Sequence, residues 1–114
     1  PTSPEIKYGY IIRDNKKIKS STIFKIIRFK EKPNLNKAKE LIKDNALWNS
    51  GMFVWSAQSI RLAYRKQLRD MYDVFEEGKE FYNTRKETEF IDRIFPGCKN
   101  ISIDYAIMEK AKKP

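Results

Sequence analysis

Two kinds of hydrophobic pattern alternate along this chain. Short runs of β-branched and aromatic residues predict strands, and apolar residues that recur every three or four positions predict helices. Strands are predicted at residues 8–13, 22–29, 51–55 and 101–103. With the helices between them, the order is β-β-α-β-α-α-α-β-α. This order favours an α/β fold with a mixed sheet and flanking helices.

Capping residues predict where the helices begin, because a side-chain oxygen at a helix start accepts a backbone N–H of the first turn. A threonine followed three residues later by a glutamate forms a capping box. The predicted starts, in chain order, are Asn34 or Asn36, Ser56, Asp70, the capping box of Thr84 with Glu87, and Ser102 or Asp104. The first helix is predicted to end near residue 44, the second at residue 68, and the last at residue 110.

The stretch at residues 47–55 (LWNSGMFVW) places Asn49, Ser50 and Gly51 between the only two tryptophans of the chain. A strand that serves only packing has no need of an amide and a glycine there. Glycine in a strand marks either a β-bulge or a place where another group comes close to the backbone. The stretch therefore predicts either a bulge, with Asn49 bonded to loop backbone, or a ligand near the main chain.

Polar groups at predicted strand ends form the candidate site. In α/β sheets, ligands bind at the carboxyl ends of strands. Gly9, the pair Glu31 and Lys32, and the segment Asn49–Gly51 lie at or near predicted strand ends. The Lys32 ammonium suits a phosphate, whereas the Glu31 carboxylate and the Asn49 carboxamide suit sugar hydroxyls.

One geometric objection applies to Glu31 and Lys32, because neighbouring side chains of a regular strand point to opposite faces. They can share a ligand only if Pro33, which has no N–H to donate, forces the chain to turn. Simpler explanations stay open at each position. Glu31 and Lys32 can be a solvated strand end, Gly9 a kink in an edge strand, and Asp104 a helix cap.

The residue inventory excludes several kinds of chemistry. The chain has 114 residues, no histidine and one cysteine, Cys98. The length suits one domain, and an internal disulfide is impossible. Ser-His-Asp and Cys-His catalysis and His-containing zinc sites are excluded within these residues. No apolar run of about 18 residues predicts a membrane span, and the cytoplasm is the simplest location for such cysteine usage.

The formal net charge of +9 has two explanations. One is an anionic partner such as nucleic acid, a nucleotide or a sugar phosphate. The other is a surface covered with lysine, which is favoured because the lysines are scattered and no nucleic-acid-binding signature accompanies them. Nucleic acid is therefore not the expected partner, although a basic interaction module stays open as an alternative function.

Four blocks of the sequence together resemble the sugar-1-phosphate nucleotidyltransferases, most closely the mannose-1-phosphate guanylyltransferase branch. They span almost the whole chain in the order that the family shows. The blocks are Pro4-Glu5 with residues 8–11 (YGYI), residues 29–33 (FKEKP), residues 47–53 (LWNSGMF) and residues 101–110 (ISIDYAIMEK).

The resemblance implies a Rossmann-like nucleotidyltransferase domain. It also implies an enzyme that joins mannose 1-phosphate to GTP with the help of Mg²⁺ and yields GDP-mannose and pyrophosphate. Lys32 then matches the lysine that holds the sugar phosphate, and Gly9 matches a main-chain sugar contact. Glu31 and Asn49 match residues that bind sugar hydroxyls. A related transferase for another sugar 1-phosphate stays open, because the base-reading half is not in this sequence.

By the same resemblance, residues 1–114 are expected to be a fragment, the sugar-phosphate-binding half of the domain. The family's Gly-rich nucleotide loop belongs to an N-terminal half, and its metal-binding aspartates lie outside these residues. The fragment is therefore expected to lack catalytic residues and metal ligands and to be inactive alone. Ser50 and Asp104 are expected to support the binding residues. Ile6-Lys7 replace the family's usual Thr-Gly, and a homodimer is an open assembly.

Overall fold

The computed structural model of the chain describes residues 1–18 and 22–111. These residues form two compact units, one from the described residues of 1–54 and 103–114 and the other from residues 55–102. The predicted α/β class is confirmed. The elements are β1 (Gly9–Lys17), β2 (Phe24–Glu31), α1 (Leu35–Lys43), β3 (Leu47–Trp48), α2 (Ala57–Gln67), α3 (Arg69–Glu76), α4 (Glu87–Ile94), a 3₁₀ turn (Phe95–Gly97) and a π-helix (Asp104–Met108).

The first unit contains a three-stranded sheet in the order β2-β1-β3. β1 pairs antiparallel with both neighbours, so that Gly9 stands opposite Glu31 and Tyr10 stands opposite Trp48. The pairing among the described strands is thus antiparallel, not mixed as predicted, because β1 separates two strands that run in the same direction. Consequently β2 and β3 both finish at the end of the sheet where β1 begins.

A small hydrophobic core joins this sheet to α1. Tyr10 is fully buried, and its hydroxyl donates to the Glu5 carbonyl at 2.7 Å. The Asn34 side chain accepts the Lys37 N–H at 2.8 Å, which confirms the first of the two predicted starts of this helix. The buried members of the core are Tyr10, Ala38, Leu41 and Ala46.

The second unit is helical in its described elements. α2 begins after Ser56, whose hydroxyl accepts the Ser59 N–H at 3.1 Å as predicted. α3 begins at Arg69 without a side-chain cap, so the predicted cap at Asp70 is wrong. Asp70 instead lies in the first turn, where a carboxylate interacts favourably with the helix dipole. Among the described helices of both units, none combines the length and apolarity needed to cross a membrane.

The predicted capping box before α4 is displaced. Thr84 Oγ1 accepts the Lys86 N–H at 3.2 Å, and the helix begins only at Glu87. The Glu87 carboxylate accordingly reaches past Thr84 to the Asn83 N–H, at 3.4 Å. Phe90 is the buried residue of this helix, as its predicted apolar face requires.

Two strand predictions are wrong, since residues 51–55 and 101–103 contain no strand. β3 is shorter and earlier than predicted. A strand needs a backbone partner, and no described strand pairs with either segment. Met52 is 81% and Val54 99% exposed, so the apolar side chains that predicted a buried strand are not buried. The predicted last helix is a π-helix that ends at Met108, short of residue 110.

Candidate functional site

Gly9, Glu31 and Asn49 meet at the end of the sheet where β2 and β3 finish. The Asn49 N–H, just beyond β3, donates to the Gly9 carbonyl at 2.8 Å. A Cβ added to Gly9 would lie 3.2 Å from Glu31 Oε2 and 3.3 Å from Asn49 Cβ. Two other predicted binding residues, Glu31 and Asn49, therefore both lie close to Gly9, and glycine is the residue that fits beside them.

Lys32, the fourth predicted residue, sits at a turn that follows β2 directly. Its φ is +42°, a left-handed conformation that costs a residue with a Cβ about 1–2 kcal/mol. Its N–H donates to the Tyr8 carbonyl at 3.1 Å, which ties the turn to the chain just before β1. Because the regular strand ends here, the alternation that would send Glu31 and Lys32 to opposite faces ends as well.

Glu31 is the buried charged residue of the described chain, with 6% of its surface exposed. Burial raises the pKa of its carboxyl, and the negative charges of Asp104 and Glu109 raise it further. The Lys32 charge and backbone N–H act in the opposite direction on the same pKa. A carboxylate in this setting is stabilised by groups that donate hydrogen bonds to it, and hydroxyl groups of a ligand are such donors.

Asn49 is held by the turn that it begins. Its Oδ1 accepts the Gly51 N–H at 3.1 Å, and Gly51 has a φ of +75° that suits glycine. Its Nδ2 donates to Asp104 Oδ1 at 3.1 Å. Part of the bonding capacity of Asn49 thus serves its own loop, as the bulge alternative expected, and this fixes the orientation of the carboxamide.

The π-helix supplies a residue that the sequence analysis did not single out. Glu109, at the end of this helix, accepts the Glu31 N–H at 2.9 Å through Oε2. Its other carboxylate oxygen lies 3.5 Å from Lys30 Nζ. Glu109 lies within the block at residues 101–110, but the spacing of residues in that block did not indicate that its side chain would contact β2.

The sequence of residues 1–95 matches the nucleotidyl transferase family. This chain belongs to the nucleotidyl transferase family. It is 39% identical over 119 residues to a mannose-1-phosphate guanylyltransferase of Escherichia coli, covering 98% of this chain and 25% of that protein. It is 34% identical over 114 residues to the alginate biosynthesis protein AlgA of Pseudomonas fluorescens, covering 98% of this chain and 24% of that protein. The family predicted from the four blocks is confirmed.

Two solved structures have folds similar to that of this nucleotidyl transferase segment. A crystal structure described as mannose-1-phosphate geranyltransferase from Thermus thermophilus aligns with a TM-score of 0.80 and 28% identity, covering 99% of this chain and 31% of that one. A mannose-6-phosphate isomerase from Helicobacter pylori aligns with a TM-score of 0.70 and 26% identity, covering 99% of this chain and 44% of that one. The chain spans about a quarter of the length of the curated relatives.

The Mg²⁺ that the resemblance implies does not fit the residues of this nucleotidyl transferase segment. Within residues 1–18 and 22–111, no three His, Cys, Asp or Glu side chains are grouped to hold a metal ion. The carboxylates nearest Glu31 have other partners, since Asp104 accepts the Asn49 amide and Glu109 accepts the Glu31 N–H. No chemical step is therefore assigned to a metal here.

The supporting residues predicted from the sequence have different surroundings. Asp104 contacts Asn49 directly, and its negative charge acts on Glu31. Ser50 is exposed, and its hydroxyl accepts the Met52 N–H at 3.4 Å within the same loop. Asp104 is thus part of the cluster around Glu31, whereas the contact of Ser50 is local to the turn.

Proposed function

We propose that residues 1–114 are the sugar-phosphate-binding part of a mannose-1-phosphate guanylyltransferase. The intact enzyme would join mannose 1-phosphate to GTP and release pyrophosphate and GDP-mannose. The observation that carries the proposal is the meeting of Gly9, Glu31 and Asn49 at one end of the sheet, with Lys32 at the adjoining turn. Membership of the nucleotidyl transferase family and the named relatives support the reaction type.

Each residue has a part that its chemistry suits. The buried Glu31 carboxylate accepts hydrogen bonds from ring hydroxyls, and the oriented Asn49 carboxamide offers a second polar contact. The Gly9 carbonyl has a lone pair beyond the one that the Asn49 N–H engages. The exposed Lys32 ammonium, which follows the buried strand end, neutralises the phosphate as a point charge.

The contribution of these residues to the reaction is positioning. Phosphoryl-type transfer depends on holding the two substrates in line and on cancelling charge at the phosphates. Residues that fix the hexose aim the sugar phosphate at the α-phosphorus of the nucleotide. In this proposal GTP and Mg²⁺ bind to other parts of the intact cytoplasmic enzyme, so residues 1–114 alone do not turn over substrate.

Pyrophosphate release by the intact enzyme tests this function. With GTP and Mg²⁺, we expect release with mannose 1-phosphate and much less with other sugar 1-phosphates. Replacing Lys32 with alanine should raise KM for mannose 1-phosphate by roughly ten- to a hundredfold, since a hydrogen bond to a charged group is lost. KM for GTP should change little, and Lys39→Ala, at an exposed position on α1, is the matched control.

Three results separate the alternatives. Preference for another sugar 1-phosphate would assign a related transferase instead. Equal effects of Lys32→Ala and Lys39→Ala on KM for mannose 1-phosphate would remove Lys32 from the site. Clear pyrophosphate release by the 114-residue chain alone would contradict the division of the site between this part and the rest of the enzyme.

A further inference from the structure

The π-helix at Asp104–Met108 puts two carboxylates on the same side. Its winding is established by the Glu109 N–H, which donates to the Asp104 carbonyl at 2.9 Å, five residues earlier. In an α-helix, residues five apart point about 140° away from each other around the axis. In the π-helix they are hydrogen-bonded to each other along the axis, so Asp104 and Glu109 can both face the end of the sheet.

The two carboxylates contact two different strand ends. Asp104 accepts the Asn49 side-chain amide beyond β3, and Glu109 accepts the Glu31 N–H at the end of β2. These contacts connect the π-helix to two of the proposed sugar-binding residues, one from each end of the helix.

Glu109 accepts a hydrogen bond from a backbone N–H of β2 that points away from β1, the N–H of Glu31. Successive N–H groups of a strand point to opposite edges, and the Lys32 N–H donates to Tyr8, on the β1 side. The Glu31 N–H therefore points to the other edge of β2, which has no strand partner among the described residues. Glu109 fills this edge position at 2.9 Å.

The neighbouring ion pair does not explain the position of Glu109. Lys30 Nζ lies 3.5 Å from the Glu109 carboxylate, and the two side chains are 40% and 28% exposed. Pairs with this exposure contribute little to stability. The negative charge of Glu109 also opposes ionisation of Glu31, so the favourable effect of Glu109 at this site is the geometric one, its bond to the Glu31 peptide.

We propose that Glu109 is a positioning residue of the sugar-phosphate site, which holds the last peptide of β2 so that Glu31 and the left-handed Lys32 face one ligand. This inference rests on the proposed function. Lys32 keeps an unfavourable backbone conformation only if its surroundings fix it. The Tyr8 carbonyl fixes the turn on one edge of β2, and Glu109 fixes the residue before it on the other edge.

Three variants of the intact enzyme test the role of Glu109. Glu109→Ala removes the acceptor, whereas Glu109→Gln keeps an acceptor oxygen and removes the charge. Glu40→Gln is the matched control, because it makes the same change at an exposed glutamate of α1 that pairs only with Lys37 in the described chain. Folding of each variant is checked by its thermal unfolding midpoint.

We expect Glu109→Ala to raise KM for mannose 1-phosphate about tenfold, with KM for GTP unchanged. Glu109→Gln should restore most of the lost KM. It should also move the acid limb of the kcat/KM profile to lower pH, because the pKa of Glu31 falls when the Glu109 charge is removed while Asp104, Lys30 and Lys32 stay in place. If Glu109→Ala does not fold, the role of Glu109 is tested by Glu109→Gln instead. The acid limb of its kcat/KM profile should lie at lower pH than that of Glu40→Gln.

Hydrogen exchange of the Glu31 amide tests the contact without any substrate. Exchange of this amide should become about tenfold faster or more in Glu109→Ala than in Glu40→Gln. Unchanged exchange, or KM values for both substrates that rise together, would overturn the role of Glu109. If the wild-type enzyme does not use mannose 1-phosphate but the Glu31 amide still exchanges faster in Glu109→Ala than in Glu40→Gln, the proposed function is contradicted. The contact between Glu109 and the Glu31 N–H would then still stand.

Discussion

Adding one methyl group at Gly9 perturbs the centre of the proposed site. In Gly9→Ala the new Cβ would lie 3.2 Å from Glu31 Oε2 and 3.3 Å from both Asn49 Cβ and Phe29 Cζ, whereas ordinary contacts lie at 3.4–4 Å. Gly9 is not among the residues with positive φ, so an alanine backbone is allowed there. The perturbation is therefore steric, and it acts on two proposed binding residues at once.

The expected magnitude follows from two opposing effects. Overpacking of a filled space costs about 1–3 kcal/mol, and replacing glycine by alanine stabilises by about 0.4–1 kcal/mol through the unfolded state. The free energy of unfolding should therefore fall by about 1–2 kcal/mol. For 114 residues this lowers Tm by about 4–8 °C. Displacing Glu31 and Asn49 by a few tenths of an ångström should raise KM for mannose 1-phosphate about tenfold.

The assay is thermal unfolding of the 114-residue chain, with KM measured in the intact enzyme. Gly97→Ala is the control, because a Cβ there meets nothing within 4 Å and its φ is not positive. This control should keep or slightly raise Tm. If Gly9→Ala is as stable as Gly97→Ala and binds mannose 1-phosphate normally, Gly9, Glu31 and Asn49 are not packed as described, and the proposed site is wrong.

Two further predictions concern buried groups. The raised pKa of Glu31 means that its protonated form stabilises the fold below the ordinary value of 4.5, and that this contribution is lost as pH rises through the folded-state pKa. Glu31→Gln cannot ionise, so urea unfolding should show its advantage over wild type growing from about pH 4 to about pH 7; a constant difference would contradict the electrostatics. In Gly78→Ala the new Cβ would overlap the Phe90 ring, which should destabilise the second unit by about 3 kcal/mol; an unchanged circular-dichroism melt would refute that packing.

Local sequence signals were sufficient for much of the fold. β1, β2, α1 and α2 follow from runs of one periodicity with a capping residue or a breaker at the end, as Asn34 and Ser56 illustrate. The meeting of Gly9, Glu31 and Asn49 at one end of the sheet was also predictable in outline. Gly9, Glu31 and Asn49 each adjoin a strand terminus, and two strands that run in the same direction bring their ends together.

The features that the sequence did not predict depend on distant partners. Residues 51–55 have the composition of a strand. A strand also needs another strand to pair with, and the local composition does not show whether such a strand lies beside these residues. The contact of Glu109 depends on the change from α- to π-winding, which the residue spacing at 101–110 does not reveal. The predicted cap at Asp70 is wrong because α3 begins at Arg69, with Leu68 in the cap position, two residues before the cap that the side-chain signal indicates.

The central claim is that Glu31, Lys32 and Asn49 bind one phosphorylated hexose. A crystal structure of the intact enzyme with mannose 1-phosphate tests it most directly. We expect ring hydroxyls within hydrogen-bonding distance of the Glu31 carboxylate and the Asn49 carboxamide, with the phosphate beside Lys32 Nζ. A hexose bound away from the end of the sheet where Gly9 meets Glu31 would contradict the claim.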